Sequence, residues 1–108
     1  METRDFICLC LGVNSAKIDE ICDNFDVDIK ESDFERIYLN HHYDYDNVGN
    51  ALIVDLYAKV IENAVKKLGL KIREFDYFVS RGDSHLYYNR QEVNCWGDLE
   101  YISKTKEE

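Results

Sequence analysis

Residues 48–69, VGNALIVDLYAKVIENAVKKLG, form the stretch that decides the fold. Their apolar positions recur with helical spacing, and their polar positions fill the opposite side of the same helix. The apolar set is 52, 53, 56, 57, 60, 61, 64, 65 and 68, and the polar set is 55, 59, 62, 63, 66 and 67. Because the apolar repeat is nearer 4.0 than 3.6 residues, the stripe drifts around the axis, which suits a helix lying obliquely across a sheet.

The end of this helix is marked by local signals. Lys66 and Lys67 fall in its last turn, where the helix dipole favours positive charge. Gly69 is a natural left-handed cap, and Leu70 supplies the hydrophobic contact that usually follows such a cap.

The segments before the long helix predict a strand and a first helix. Residues 6–13 are continuously apolar and predict a buried strand. Asn14 or Ser15 can then cap a helix over 15–25, whose inner face carries apolar residues at helical spacing. Those residues are Ile18, Ile21, Cys22 and Phe25.

Residues 34–45 have two interpretations. Ser32 and Glu35 form a capping-box pattern, which indicates a short helix. Apolar residues instead alternate at 37, 39, 43 and 45, which favours a strand, and we prefer the strand. As a strand, the segment would turn Arg36, Asn40, His42, Asp44 and Asp46 towards solvent.

Beyond the long helix we expect strands at 71–79, at 86–89 and within 93–102, with a turn at 80–84. The order β-α-β-α-β-β-β predicts an α+β fold in which two helices pack on one face of a mostly antiparallel sheet. We expect a single domain over residues 1–103 and a frayed tail over 104–108.

The composition is that of a globular protein, with 108 residues of which 45% are hydrophobic. No stretch approaches the roughly 18 apolar residues that span a bilayer, and no signal peptide is visible. Four cysteines without an export signal are expected to be reduced thiols in a cytoplasmic protein. They are Cys8, Cys10, Cys22 and Cys95.

Acidic residues concentrate in residues 19–46, which we call the acidic segment. It holds ten acidic and two basic residues, a net charge of −8 out of −9 for the whole chain. Such a charge steers cationic partners and disfavours direct binding to nucleic acid, whose phosphates require Lys and Arg. Its alternative interpretation is a solvated surface that only aids solubility.

The sequence patterns for metal binding and for catalysis are weaker than the pattern of acidic residues. Positions 24, 26, 28, 32 and 35 match EF-hand ligand positions, but Ile29 stands where that loop needs glycine. His41 and His42 are adjacent, so on a strand they face opposite sides and cannot easily share an ion. The cysteines lack zinc-site spacing, and no nucleophile has a sequence context that supports catalysis. We therefore expect no metal, no cofactor and no enzymatic activity.

The function predicted from the sequence is an acidic module that binds and inhibits a basic protein, one that binds nucleic acid or is a nuclease. Phage anti-defence proteins of the anti-CRISPR kind and immunity proteins or antitoxins are analogies in charge and size. Two alternatives remain open: a small metal-binding protein or enzyme using the 24–35 loop or His41 and His42, and a structural homodimer formed through a Tyr-rich sheet. The predicted contact residues are Asp23, Asp26, Asp28, Glu31, Asp33, Glu35, Tyr38, Tyr43, Asp44, Tyr45 and Asp46.

Overall fold

The computed structural model describes residues 15–33, 35–36, 45–80 and 83–106, with side chains at 16–33, 35–36, 51–79 and 84–105. In chain order the elements are helix α1 (Ser15–Asn24), helix α2 (Tyr45–Leu68), a 3-10 turn (Ile72–Glu74), strands β1 (Phe75–Ser80), β2 (Asp83–Tyr88) and β3 (Gln91–Glu92), and helix α3 (Trp96–Lys106). Residues 31–33 and 35–36 are also helical. The predicted α+β class is confirmed.

Helix α2 is the centre of the hydrophobic core. Leu56, Val60 and Ala64 are completely buried, and Leu52, Ile53 and Tyr57 are nearly so. These positions form the drifting stripe that the sequence predicts, so the buried side of α2 is broad. It contacts β1 and α3, and the buried residues of α1 join the same core.

The predicted end of α2 is confirmed. Gly69 has a φ of +70°, and its N–H donates to the carbonyl of Val65 over 3.1 Å. A side chain at this φ would be strained, which explains why glycine stands there. Leu70 is buried immediately after the cap.

Helix α1 matches its prediction and ends in a tight turn. Ile18, Ile21 and Phe25 are buried, as the helical spacing requires. The N–H of Val27 donates to the carbonyl of Cys22 over 2.9 Å, and Asp26 between them has a φ of +52°. This is the Schellman pattern of hydrogen bonds, with aspartate at the position that glycine usually takes.

The three strands form an antiparallel sheet in the order β1-β2-β3. In its register Phe75 lies opposite Tyr88, and Tyr77 opposite Leu86. Phe75, Leu86 and Tyr88 are buried, whereas Phe78, on the other face, is exposed. The sheet therefore packs on the helices through one face, as expected for this class.

Strands β2 and β3 are joined by the two residues Asn89 and Arg90, whose φ angles are +51° and +69°. Two left-handed residues in succession make the type I′ turn, whose twist matches that of the paired strands. Arginine is uncommon in this conformation, which is why the sequence did not reveal the hairpin.

The strand predicted within 93–102 is wrong, because α3 begins at Trp96 and extends to Lys106. Leu99 and Ile102 are buried three residues apart, which is helical spacing. The Asp98 carboxylate accepts the N–H of Asn94 over 2.9 Å and so satisfies a donor at the start of this helix. Residues 104–106, assigned from the sequence to the tail, are helical.

Two other predicted strands can be compared only in part. The strand at 6–13 lies outside the described residues. For 34–45, residues 35–36 are helical and α2 already begins at Tyr45, so neither described end is a strand. Residues 37–44 lie outside the described part. Within the described residues, no helix combines the length and apolar character that crossing a membrane requires.

The core position of α2 predicts a large loss of stability on truncation. Leu56→Ala should lower the free energy of unfolding by about 3 kcal/mol, because it removes buried methyl groups and leaves a cavity. Ile72→Ala, at a side chain that is 64% exposed, should change it by less than about 0.5 kcal/mol. Urea denaturation of both variants measures the difference, and equal losses would contradict this placement of the core.

Candidate partner-binding surface

The acidic segment starts on the outer side of α1. Because Ile18 and Ile21 are buried and Cys22 packs against the core, the opposite side of this short helix faces solvent. Glu20 and Asp23 are both exposed. Glu20 lies 3.8 Å from Lys17 one turn earlier, a contact between exposed side chains that contributes little.

After α1, the acidic segment is held against α2 through Asp26. Lys67 donates to the Asp26 carboxylate over 2.5 Å, and Asn63 donates to the Asp26 carbonyl over 2.8 Å. The Lys67 ammonium also lies 5.8 Å from the centre of the Trp96 ring, within cation–π range. A single lysine of α2 thus contacts both the turn after α1 and helix α3.

Asp33 makes the second attachment, at the start of the short helical stretch. Its carboxylate accepts the backbone N–H of Lys30 over 2.9 Å and lies 3.3 Å from Lys59 of α2 and 3.8 Å from Arg36. The Lys30 N–H bond is the largest influence and lowers the pKa of Asp33; partial burial opposes it, and Lys59 and Arg36 lower the pKa further. The acid that reaches back to the helix start is therefore Asp33, and the predicted Ser32–Glu35 pattern is offset by two residues.

Arg36 makes the third attachment, in which the segment supplies the base and α2 supplies the acid. Its guanidinium lies 3.4 Å from the carboxylate of Asp55 on α2. With the Asp26–Lys67 and Asp33–Lys59 pairs, this makes three ion pairs between residues 26–36 and α2, which we call the clamp. Part of the acidic segment is thus neutralised within the molecule.

The clamp separates the predicted contact residues into groups. Asp26 and Asp33 are engaged by lysines, and Glu31 is half-buried. Asp23, Asp28 and Glu35 are exposed, and none of them forms an ion pair within the described part of the chain. Tyr38, Tyr43 and Asp44 lie outside the described residues, as do the side chains of Tyr45 and Asp46 at the start of α2.

The basic members of the clamp were missed from the sequence. Lys59, Asn63 and Lys67 stand four residues apart on α2 and so share one face of that helix. All three meet the residues that follow α1. Their spacing was a usable signal, because a polar stripe with two lysines complements an acidic segment elsewhere in the chain.

Two residues at the EF-hand ligand positions make other contacts in the structure. Asn24 donates its amide to the carbonyl of Asn94 over 3.3 Å, and Asp26 is turned towards Lys67. Across the described residues, no three His, Cys, Asp or Glu side chains lie close enough together to hold a metal ion. His41 and His42 lie outside the described part. Cys22 and Cys95 are half-buried and form no disulfide there.

No protein-family model, no curated protein and no solved structure matches this chain. The function is therefore argued from the residues and their arrangement. The arrangement is a clamped, acid-rich segment in which Asp23, Asp28 and Glu35 are exposed without an ion pair among the described residues.

The pKa of Asp33 predicts a pH-dependent contribution to stability. A carboxyl whose pKa is lowered by folding stabilises the protein at neutral pH, and this contribution is lost as the pH falls through its folded pKa. Asp33→Asn should therefore lower the free energy of unfolding by about 1 kcal/mol at pH 7 and by less at pH 3. Asp23→Asn is the control, and urea denaturation at both pH values measures the change. A loss for Asp33→Asn that is independent of pH would contradict this account.

Lys67 and Lys66 provide a matched test of the clamp. Lys67→Met removes the contacts with Asp26 and Trp96 and should lower the free energy of unfolding by about 1 kcal/mol. Lys66 is exposed and has no ion pair among the described residues, so Lys66→Met should have little effect. Thermal denaturation at low and high salt compares them. The clamp is not stabilising if the two variants melt together.

Proposed function

We propose that this chain is an acidic binding protein that inhibits or sequesters a basic partner, either a nucleic-acid-binding protein or a nuclease. The proposal is carried by the exposure of Asp23, Asp28 and Glu35 on a segment that the clamp attaches to α2. Within the described part of the segment, these carboxylates are exposed and make no intramolecular ion pair.

The charge balance supports a negative surface even after the clamp is included. Residues 15–36 contain eight acidic and three basic residues. Adding the clamp residues of α2, which are Asp55, Lys59 and Lys67, gives nine acids and five bases. Acids still exceed bases by four, so the surface attracts cationic groups and repels phosphates.

Fixing these carboxylates before binding has an energetic advantage. A segment that is already ordered loses less conformational freedom when it meets a partner. In the proposed complex, Asp28 and Glu35 meet Lys or Arg side chains in the groove where the partner holds nucleic acid. The protein acts by occupying that groove, without catalysis and without contacting nucleic acid itself.

The biological setting rests on analogy. Small acidic proteins that block nucleases include phage anti-defence proteins and immunity proteins or antitoxins, and this chain shares their charge and size class. Such inhibitors act in the compartment of their targets. The proposal therefore includes a cytoplasmic location for this protein.

A capture experiment with matched charge variants tests the proposal. Tagged protein is incubated with the nucleic-acid-binding fraction of a cell extract, and duplex DNA or RNA is added as a competitor. Captured proteins should be displaced by the nucleic acid and lost at high salt, because the contacts are between charged groups. Asp28→Asn combined with Glu35→Gln should reduce capture about tenfold, equivalent to about 1.4 kcal/mol.

The control changes the net charge by the same two units elsewhere. Glu100→Lys reverses one charge at an exposed position of α3, outside the acidic segment. If capture falls equally in this variant and in the double variant, the effect comes from net charge alone. Captured proteins that nucleic acid does not displace would also argue against the proposed mode of inhibition.

A further inference from the structure

The face of the sheet that points away from the helices carries an unusual set of side chains. Asp76, Tyr87 and Glu92 lie opposite one another in one cross-strand row, and Phe78 and His85 form the next row. Because side chains alternate along a strand, all five share the face opposite to buried Leu86. We call this the outer face of the sheet.

The aromatic residues of the outer face lie in contact with one another. Phe78 is 63% exposed, although it is a large apolar side chain. Its ring centre lies 5.6 Å from that of Tyr87 in an edge-to-face arrangement, and the centre of the His85 ring lies 6.3 Å from that of Tyr87. The Phe78 ring is thus braced by Tyr87 while most of its own surface faces solvent.

Carboxylates lie on both sides of Tyr87 in its cross-strand row. Glu92, opposite Tyr87, accepts a hydrogen bond from Nδ1 of His85 over 2.9 Å. Asp76 is exposed directly opposite Tyr87 in the register. Side chains opposed in this way have Cβ atoms roughly 5 Å apart. Aromatic rings and carboxylates therefore alternate across the outer face.

We propose that the outer face of the sheet binds an arginine side chain presented by the basic partner. A guanidinium can stack on an exposed ring while its N–H groups donate to a neighbouring carboxylate. Phe78 supplies the ring, and Asp76, two residues earlier on the same face of β1, supplies the neighbouring acceptor, while Glu92 on β3 adds negative charge to the face. This inference rests on the proposed function for the kind of partner, but on different residues from those of the acidic segment.

A cleft connects this face to the acidic side of α1. It is lined by Lys17, Glu20 and Asn24 of α1, and by His85 and Glu92 of the sheet. Glu20 and Glu92 thus stand on opposite walls of one continuous surface. A single partner that contacts α1 can therefore also reach the outer face.

The same charges argue against a second copy of this chain as the occupant. A two-fold dimer formed through the outer face would bring the same patch together from both subunits. The carboxylates of Asp76 and Glu92 from both subunits would then lie in one interface, in a chain whose net charge is −9. Like charges brought together at an interface are unfavourable, whereas an arginine meets the same carboxylates favourably.

Two peptides, octa-arginine and octa-lysine, test the inference by titration of the full chain at one salt concentration. Phe78→Leu removes the ring and keeps an apolar side chain of similar size. It should raise the Kd for octa-arginine about two- to fivefold, the range for one exposed cation–π contact, and remove the preference over octa-lysine. Tyr101→Leu, at a side chain that is 68% exposed on α3, should leave both affinities unchanged. In the wild type, the ring resonances of Phe78 and Tyr87 should shift with octa-arginine.

The outcomes separate this inference from the proposed function. If Phe78→Leu binds octa-arginine like the wild type while Asp28→Asn with Glu35→Gln binds it less well, the outer face is not a binding site and the acidic segment still is. If Phe78→Leu alone weakens binding, the outer face is supported and the proposed surface on the acidic segment fails. Equal affinity of the wild type for the two peptides, or a wild-type dimer that Phe78→Leu dissociates, would overturn the inference.

Discussion

The structure depends on covering the broad apolar side of α2. Its buried positions come in neighbouring pairs about one turn apart, so the stripe is wider than a single element can cover. The inner face of the sheet, helix α1 and helix α3 all contribute buried side chains to the core around it. Each of these is short, and none has enough apolar surface to be stable alone. The other elements are therefore arranged so that together they cover the apolar side of α2.

The polar side of α2 provides the bases that pair with the acidic residues after α1. Once the apolar stripe is turned inwards, Lys59, Asn63 and Lys67 project from another side and meet the residues that follow α1. Exposed ion pairs of this kind contribute at most about 1 kcal/mol each. Val27 and Ile29 also pack against the core from the same segment, and their partial burial contributes a comparable amount. Apolar contacts and ion pairs therefore both contribute to positioning the segment.

The parts of the fold that the sequence predicted are those with local signals. The stripe of α2, its Gly69 cap and the inner face of α1 each depend on residues within a few positions of one another. Helix α3 was missed because Trp96, Leu99 and Ile102 are few apolar residues in a short helix, and Gly97 lies among them. Asp26 and Arg90 were missed because their left-handed conformations are uncommon for those residues.

For the candidate surface, prediction from the sequence is limited by contacts between residues far apart in the chain. A count of charges along the chain defines the acidic segment, but it treats every carboxylate as equally available. Asp26 is paired with a lysine 41 residues away, and no local pattern reports a contact over that separation. The aromatic residues of the outer face were likewise visible in the sequence only as a high tyrosine content, because their grouping depends on the register of β1 and β2.

The two proposed surfaces would act over different distances in a complex. Attraction between charges extends roughly 8 Å at physiological ionic strength, so the excess of carboxylates on the acidic segment acts before contact and affects mainly the rate of association. Stacking on Phe78 requires direct contact with the ring, and it affects mainly the rate of dissociation. Carboxylates alone attract any basic protein, whereas an exposed ring beside a carboxylate favours arginine over lysine. Selectivity among basic partners would therefore come from the sheet, although most of the net charge lies elsewhere in the chain.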